Sequence, residues 1–399
     1  MSNPPTVFGQ HDAGTLAQLQ DVASRAEHTA LMADGHLGYV MPIGGVAAYR
    51  NQVSVVGVGF DIACGNCAIR TDLTADQFSA ANLPQIADEI HATISFGVGR
   101  TNRADDAPVN HPLFESDIWT LLPVTANVHN LMGKARAQLG TVGSGNHYVD
   151  VFADEIGTIW VGVHFGSRGL GHTLASGFLS LAQNAPWDKH VPEKETLLDL
   201  ASPLGHDYWH LMRLAGDYAY AGREWVAQKT VDLLGGHEVE MVHNHHNFAW
   251  KETHFGEEFV VVRKGATPAF PAQRGFVGGS MGDDAVILTG ATTGSVAQRA
   301  ALFSTVHGAG RIMSRTAAKG KTKKGRVVQT GLITQQMMDD WTHGVGVILR
   351  GGGLDEAPQA YRRLPDVLAA QGDTVVVEHT LTPLIVVMAG ANEFDPYKD

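Results

Sequence analysis

The stretch Gly57-Val-Gly-Phe-Asp-Ile-Ala-Cys-Gly-Asn-Cys67 constrains this chain most, because it sets a carboxylate and a thiol three residues apart on a turn laced with glycine. Val53-Ser-Val-Val-Gly-Val58 reads as a buried strand leading into it, and Gly57, Gly59 and Gly65 permit backbone conformations that other residues resist. Asp61 and Cys64 leave the turn together. Cys64 and Cys67 also form a C-x-x-C, the spacing of a redox pair or of half a structural zinc site. A closed zinc site takes four ligands, and these are the chain's 2 cysteines, so histidines would have to complete it. A thioredoxin-like pair belongs to a small βαβ domain, whereas this chain has 399 residues and 20 histidines. The favoured reading is a catalytic metal site in which Asp61 and Cys64 are joined by distant histidines, with Cys67 a packed thiol.

Other chemistry is bounded by composition. A formal charge of −12 argues against a protein that coats nucleic acid non-specifically, since phosphate binding needs a positive surface. One basic run stands out: Arg311, Arg315, Lys319, Lys321, Lys323, Lys324 and Arg326, with no acidic residue between them. Such a run is commonly a solvated loop. Two neighbouring cysteines give no disulfide framework, the N-terminal residues have no apolar leader pattern, and no apolar run reaches the roughly 18–20 residues that span a bilayer. The expectation is a cytoplasmic protein without a membrane segment.

Along the chain, helical spacing covers Thr15 to Glu27, Leu83 to Ile94, Asn127 to Leu139, most of Leu197 to Leu234, Ser295 to Val306 and Pro358 to Leu368. Met32-Ala-Asp-Gly-His-Leu-Gly-Tyr39 reads as a polar loop, and residues 97–115 as a long one. Strands are expected at Val46–Val58, Thr158–Val163, Val260–Gly265, Thr374–Val377 and Leu384–Met388. Several deliver polar groups to glycine turns. Gly143-Ser-Gly145 precedes Asn146-His147; His164 ends a strand with Arg168 four residues on; His307 opens a run of small residues that continues to Arg311. Gly143-Ser-Gly145 lacks the third glycine and the helix of a dinucleotide fingerprint. In Val242-His-Asn-His-His-Asn-Phe248, an extended backbone would put His243 and His245 on one face and His246 on the other, so part of the cluster at most can meet one metal. Gly278-Gly-Ser-Met-Gly282 is a phosphate-cradle candidate, and Arg311 and Arg315 fall on one face of a helix, where they suit phosphate oxygens. The large helix reads as core, without chemistry. Candidate residues spread from position 34 to position 311 argue for one domain, 1–399, with 391–399 as a tail.

The ordered set DIACG, GSGNHYVD, VHFGSRGLGH, HHN, RKGAT, GSMG, HGAGRIMSR and DEAPQAY resembles the RtcB family of RNA ligases from about residue 25 to about residue 390. The resemblance implies an α+β fold, a single compact domain with packed β-sheets around a central metal-binding cleft flanked by helices. It implies GTP and two Mn²⁺ as cofactors, and RNA with 3′-phosphate or 2′,3′-cyclic phosphate and 5′-hydroxyl ends as substrate. Carried over by motif, Asp61, Cys64 and His147 would hold one ion and Cys64, His164 and His246 the other, with Cys64 bridging. Asn146, His147, Tyr148, Val149, Asp150, His246, Asn247, Gly279, Ser280, Met281, His307, Gly308, Ala309, Gly310 and Tyr361 would meet the nucleotide. Arg168, Lys264, Arg311 and Arg315 would hold RNA phosphates, His307 would be the nucleophile, and Asp34 would be a further site residue. Three departures stand out: Ala33 where the family has proline in Met-Pro-Asp, Gly278 where it has proline in Pro-Gly-Ser-Met, and Ala389-Gly390 where it ends in Lys-Gly. The family's nucleotide lysine is thus absent, and Lys398 in the tail is a candidate substitute. A two-metal phosphoesterase acting on RNA ends without ligation is the alternative, and the sequence assigns no accessory activating protein.

Overall fold

The strand Gly65–Thr74 leaves the Asp61–Cys64 turn and becomes the second strand of an eight-stranded sheet, in a computed structural model that describes residues 4–323, 326–391 and 393. The order across that sheet is Glu238–His245, Gly65–Thr74, Thr158–Phe165, Tyr148–Ala153, Val375–Gly390, Ala285–Gly290 and Arg274–Val277, and Ile348–Gly352 pairs in parallel with Val375–Gly390. A second, five-stranded sheet runs Thr6–Val7, His28–His36, Ile43–Tyr49, Glu257–Lys264 and Asn247–His254. The strands Glu238–His245 and Asn247–His254 fall in different sheets with His246 between them. The two sheets therefore meet at that residue.

Helices cover the sheets according to their apolar faces. Pro203–Leu234 starts at Ser202, whose hydroxyl caps the Gly205 N–H, has proline in its first turn, and ends on Gly235 in the left-handed region. One part of its buried face, including Tyr208, Met212, Ala215 and Tyr218, packs with Leu170, Leu174 and Phe178 of the helix Arg168–Ala182. Its C-terminal part puts Val226, Ala227 and Val231 against Cys67, Ile69, Val161 and Val163 of the large sheet. Cys67 is thus a packed thiol, 0% exposed, and burial raises its pKa. The first of these cores draws on residues from Val22 to Val262 and the second on residues from Cys67 to Ala389, so the cores interleave along the chain and form one α+β domain. Among the described residues no helix is long and apolar enough to cross a membrane.

Several local expectations give way to tertiary context. Val55–Val58 is a helical turn rather than strand: the Ser54 hydroxyl accepts from Gly57 N–H at 2.8 Å, and Gly59, at φ +93°, closes the turn. The segment expected as a polar loop at 32–39 is largely strand, since His28–His36 is buried along its middle and Asp34 has buried partners. Ser295–Val306 is a short helix, Val296–Ala300, and then a strand, Ser304–Val306, with Leu302 and Phe303 at positive φ turning the chain between them. Arg311 and Arg315 do not share a helix face: Arg311 bridges to Tyr361, and the helix starts at Arg315 under the Ser314 cap. The two C-terminal strands are one, Val375–Gly390.

Candidate metal centre and active site

Backbone hydrogen bonds hold the cysteine turn against the junction of the two sheets. The Cys64 carbonyl accepts from His246 N–H at 2.8 Å and Asn247 N–H at 3.2 Å, and Ala63 N–H donates to the Asn247 carbonyl at 2.7 Å. In the large sheet Gly65 stands opposite both His245 and Phe165, and His164 opposite both Asn66 and Tyr148. This register brings strand ends with Cys64, His164 and His246 to one point. Strand alternation turns His243 and His245 away, toward the large helix, and the break between strands leaves His246 free to face the cysteine.

Two ligand sets result, Cys64 with His164 and His246, and Asp61 with Cys64 and His147, each with donor atoms within 4.8 Å of one another. Cys64 Sγ lies 3.3 Å from His164 Nε2 and 3.6 Å from His147 Nε2, which is 3.1 Å from Asp61 Oδ2. His147 Nδ1 lies 3.0 Å from the Val142 carbonyl and 3.2 Å from Arg168 Nη1, while its Nε2 faces Asp61 and Cys64; with Nδ1–H on the carbonyl, the Nε2 lone pair is the one presented to a metal. Two glycines make room: a side chain at Gly166 would begin 2.2 Å from Asp61 Oδ1, and one at Gly143, φ +88°, 1.6 Å from the Arg168 guanidinium. Burial keeps the His164 and His246 imidazoles neutral, well below their usual pKa, and raises the Cys64 thiol well above its own. Burial would raise Asp61 too, but His147 and Arg168 hold it below the carboxylate range. A buried thiol facing neutral imidazoles and an ionised carboxylate fits divalent cations, whose charge favours the thiolate.

His307 lies beside this cluster, its ring 4.9 Å from that of His246, which is 5.1 Å from His164, itself 5.4 Å from His147. The fully buried Asp34 fixes it: Oδ2 accepts from His307 Nδ1–H at 2.6 Å, His307 N–H at 2.9 Å and Gly308 N–H at 3.3 Å. The Nε2 of His307 is the ring nitrogen that Asp34 leaves unengaged. That is the arrangement of an activated nucleophile with an orienting carboxylate.

The expected anion-binding residues have different surroundings. Lys264 is buried, its Nζ 3.4 Å from the Val56 carbonyl, and burial lowers its pKa to about 8 against the charges of Glu193, Asp61 and Glu195. Arg168 opens its helix at φ +55°, with Nη1 3.2 Å from His147 Nδ1 and Nε unpartnered among the described residues. Arg311 donates to Tyr361 Oη at 2.8 Å, Glu356 Oε2 at 3.3 Å and the Asp355 carbonyl at 2.7 Å. Arg315 and Lys319 reach the same acidic pair, Asp355 lying 3.4 Å from Arg315 and 3.3 Å from Lys319. The start of the basic run is therefore docked on buried carboxylates rather than solvated, while Lys324 lies outside the described residues.

Of the expected nucleotide contacts, Tyr148 packs on His164 with ring centroids 5.3 Å apart, and its buried hydroxyl has no hydrogen-bond partner among the described residues. Gly278 abuts that hydroxyl and bridges to Gly308, which brings Gly279, Ser280 and Met281 beside the His307–Gly310 loop. Ser280 bonds Asp283 at 2.6 Å, and Met281 packs with Tyr361 and Met388. Asn146 lies in the turn before His147 and is half-buried; Asn247 accepts from Gly265 N–H at 2.7 Å. Asp150 lies on the Tyr148 face of its strand, its Oδ1 unpartnered among the described residues and its pKa raised by burial. Val149 is turned away: its side chain is in the core and its backbone pairs with strands on both sides, because strand alternation opposes it to Tyr148. Ala389, expected from the motif to stand where the family has its lysine, also faces that core at 7% exposure, and Lys398 lies outside the described residues. Arg223 escaped the sequence reading, although its spacing from Ala219, Val226, Ala227 and Thr230 put it on a buried helix face.

A family model described as tRNA-splicing ligase RtcB matches residues 15–389. The RNA-splicing ligase RtcB of Escherichia coli (strain K12) is 31% identical over 388 residues, which cover 90% of each chain. The tRNA-splicing ligases RtcB of Thermococcus kodakarensis and Archaeoglobus fulgidus are each 31% identical, covering 89% and 85% of this chain and 86% and 82% of their own lengths.

Proposed function

Because the chain belongs to the RtcB family and is an RNA ligase, we propose that it joins RNA 3′-phosphate or 2′,3′-cyclic phosphate ends to 5′-hydroxyl ends, using GTP and Mn²⁺ through a guanylylated His307. The observation that carries this reading is the Asp34–His307 pair beside two cysteine-sharing ligand sets. Asp61, Cys64 and His147 would hold one cation and Cys64, His164 and His246 the other. When bound, such ions neutralise charge on phosphoryl oxygens. The donor set alone suits zinc equally, so manganese follows from the family likeness.

His307 Nε2 attacks the α-phosphorus of GTP; the P–N bond forms as the α–β P–O bond breaks and pyrophosphate leaves. Positive charge develops on the ring, and the Asp34 carboxylate at 2.6 Å from Nδ1 offsets it. An RNA 3′-phosphate oxygen then attacks the same phosphorus and breaks the P–N bond. The RNA 5′-hydroxyl displaces GMP from the activated 3′-phosphate and loses its proton, which leaves a phosphodiester. A cyclic end is first opened by water to the 3′-phosphate. Arg168, Lys264, Arg311 and Arg315 are assigned to RNA phosphates, and Asn146, Tyr148, Asn247, Gly279, Ser280, Met281, Tyr361 and the His307–Gly310 loop to the nucleotide. The place of action is the cytoplasm.

Incubation with α-labelled GTP and Mn²⁺ tests this. Acid-labile label on the protein, lost in His307→Ala with metal content intact, is the expected result. Processing of RNA ends without nucleotide and without labelling would favour the phosphoesterase instead.

A further inference from the structure

One buried guanidinium touches the chain next to every member of one ligand set. Arg223, on the helix Pro203–Leu234, is 0% exposed. Its Nη1 donates to the carbonyls of Ala63 at 2.8 Å and Phe165 at 2.6 Å, its Nη2 to His245 Nδ1 at 2.9 Å, and its Nε to His243 Nε2 at 2.8 Å. Ala63 precedes Cys64, Phe165 follows His164, and His245 precedes His246. None of these acceptors is a carboxylate. The residues peculiar to the other set are fixed differently: His147 by the Val142 carbonyl, and Asp61 by His147.

The fork also explains a local demand of the sequence. A side chain at Gly65 would begin 3.1 Å from Arg223 Nη2 and 2.2 Å from the Asn244 carbonyl, so the residue after Cys64 must be small for the guanidinium to reach all three segments. A planar guanidinium offers five donors in fixed directions; an ammonium concentrates its donors on one nitrogen and cannot bridge the same acceptors.

We propose that Arg223 is the positioning residue of the Cys64–His164–His246 set and controls metal occupancy there, leaving the Asp61–Cys64–His147 set to bind independently. It touches no ligand atom and acts by fixing the backbone beside Cys64 and His164 and the ring beside His246. The inference rests on the two-ion reading above, which its controls test separately.

The experiment is a Co²⁺ titration of the full chain, stripped of metal, read by equilibrium dialysis and by thiolate-to-cobalt charge-transfer absorption. Wild type binding two ions, with Asp61→Ala and His246→Ala each losing one, establishes the two sites without reference to Arg223. Arg223→Lys is then expected to bind its first ion as wild type does and its second about 10- to 100-fold more weakly, as for lost outer-shell support. With one ion bound, its charge-transfer band has the reduced intensity of a single cobalt–thiolate bond, matching His246→Ala. Arg223→Met, which removes every donor, should show the same selective loss, and circular dichroism of both variants checks the fold. A folded Arg223→Lys or Arg223→Met protein that keeps both ions at wild-type affinity overturns the proposal. So does equal weakening of both sites, which would make Arg223 a general scaffold residue.

Discussion

Replacing Asp34 by asparagine isolates what the carboxylate does for His307. The side chain is fully buried, and its Oδ2 accepts from the ring at 2.6 Å and from two backbone N–H groups at 2.9 and 3.3 Å. Those two N–H groups pin the amide oxygen of the introduced asparagine in the place of Oδ2, so geometry survives and charge is lost. A hydrogen bond to an ionised partner contributes about 1.5–3 kcal/mol and a neutral one about 0.5–1.5, so the substitution removes roughly 1–2 kcal/mol. If that difference is expressed as positive charge grows on the imidazole, labelling slows by about 5- to 30-fold. Asp34→Ala should slow it further, because the ring and both N–H groups lose their acceptor. The assay is single-turnover transfer of α-labelled GMP at saturating GTP, with metal content measured on the same samples. Wild-type labelling by Asp34→Asn would refute the orienting role, and loss of bound metal in that variant would make Asp34 part of the metal site instead.

Cys64→Ala should lose both ions and Cys67→Ala neither, since Cys64 belongs to both ligand sets while Cys67 is buried under the large sheet; metal analysis after dialysis decides it, and two tight ions in the Cys64 variant would exclude the bridge. For Lys264 the folded pKa of about 8 lies below the 10.5 of the free side chain. Between those values the unfolded chain binds more protons, so metal-free protein should gain stability as pH rises from about 8 to 10.5 and lose that gain as it falls through 8, by up to about 3 kcal/mol. Lys264→Met should flatten this part of the urea-midpoint profile, and an unchanged slope would contradict the burial argument. RNA binding should weaken over the same rise in pH if the ammonium holds a phosphate, and in Lys264→Met that pH dependence should disappear. Arg168→Ala, measured by fluorescence anisotropy with 3′-phosphorylated RNA, should lower the salt slope by about 0.7 if it removes one single-strand phosphate contact; an unchanged slope would take Arg168 out of the RNA track.

Of the candidate metal ligands, Asp61 and Cys64 stand out locally on a glycine-rich turn, and the two-residue period of a strand separates His246 from His243 and His245. Family motifs supplied what local rules could not, the candidate partnership of residues hundreds of positions apart. Val55–Val58 failed as a strand because one hydroxyl cap outweighs β-branched propensity over four residues, and Asp34 read as part of a loop because its partners are 273 and 274 residues away. Val149 was carried along with its motif, yet alternation on a strand paired at both edges turns it into the core. Which acidic residues receive Arg311 and Arg315, and which carbonyls receive Arg223, depend on contacts between segments far apart in the chain. The sequence supplied the candidate ligands and the candidate nucleophile; the packing of two sheets and a buried helix decided which of them meet, because hydrogen bonds and coordination act over a few ångströms in space irrespective of separation along the chain.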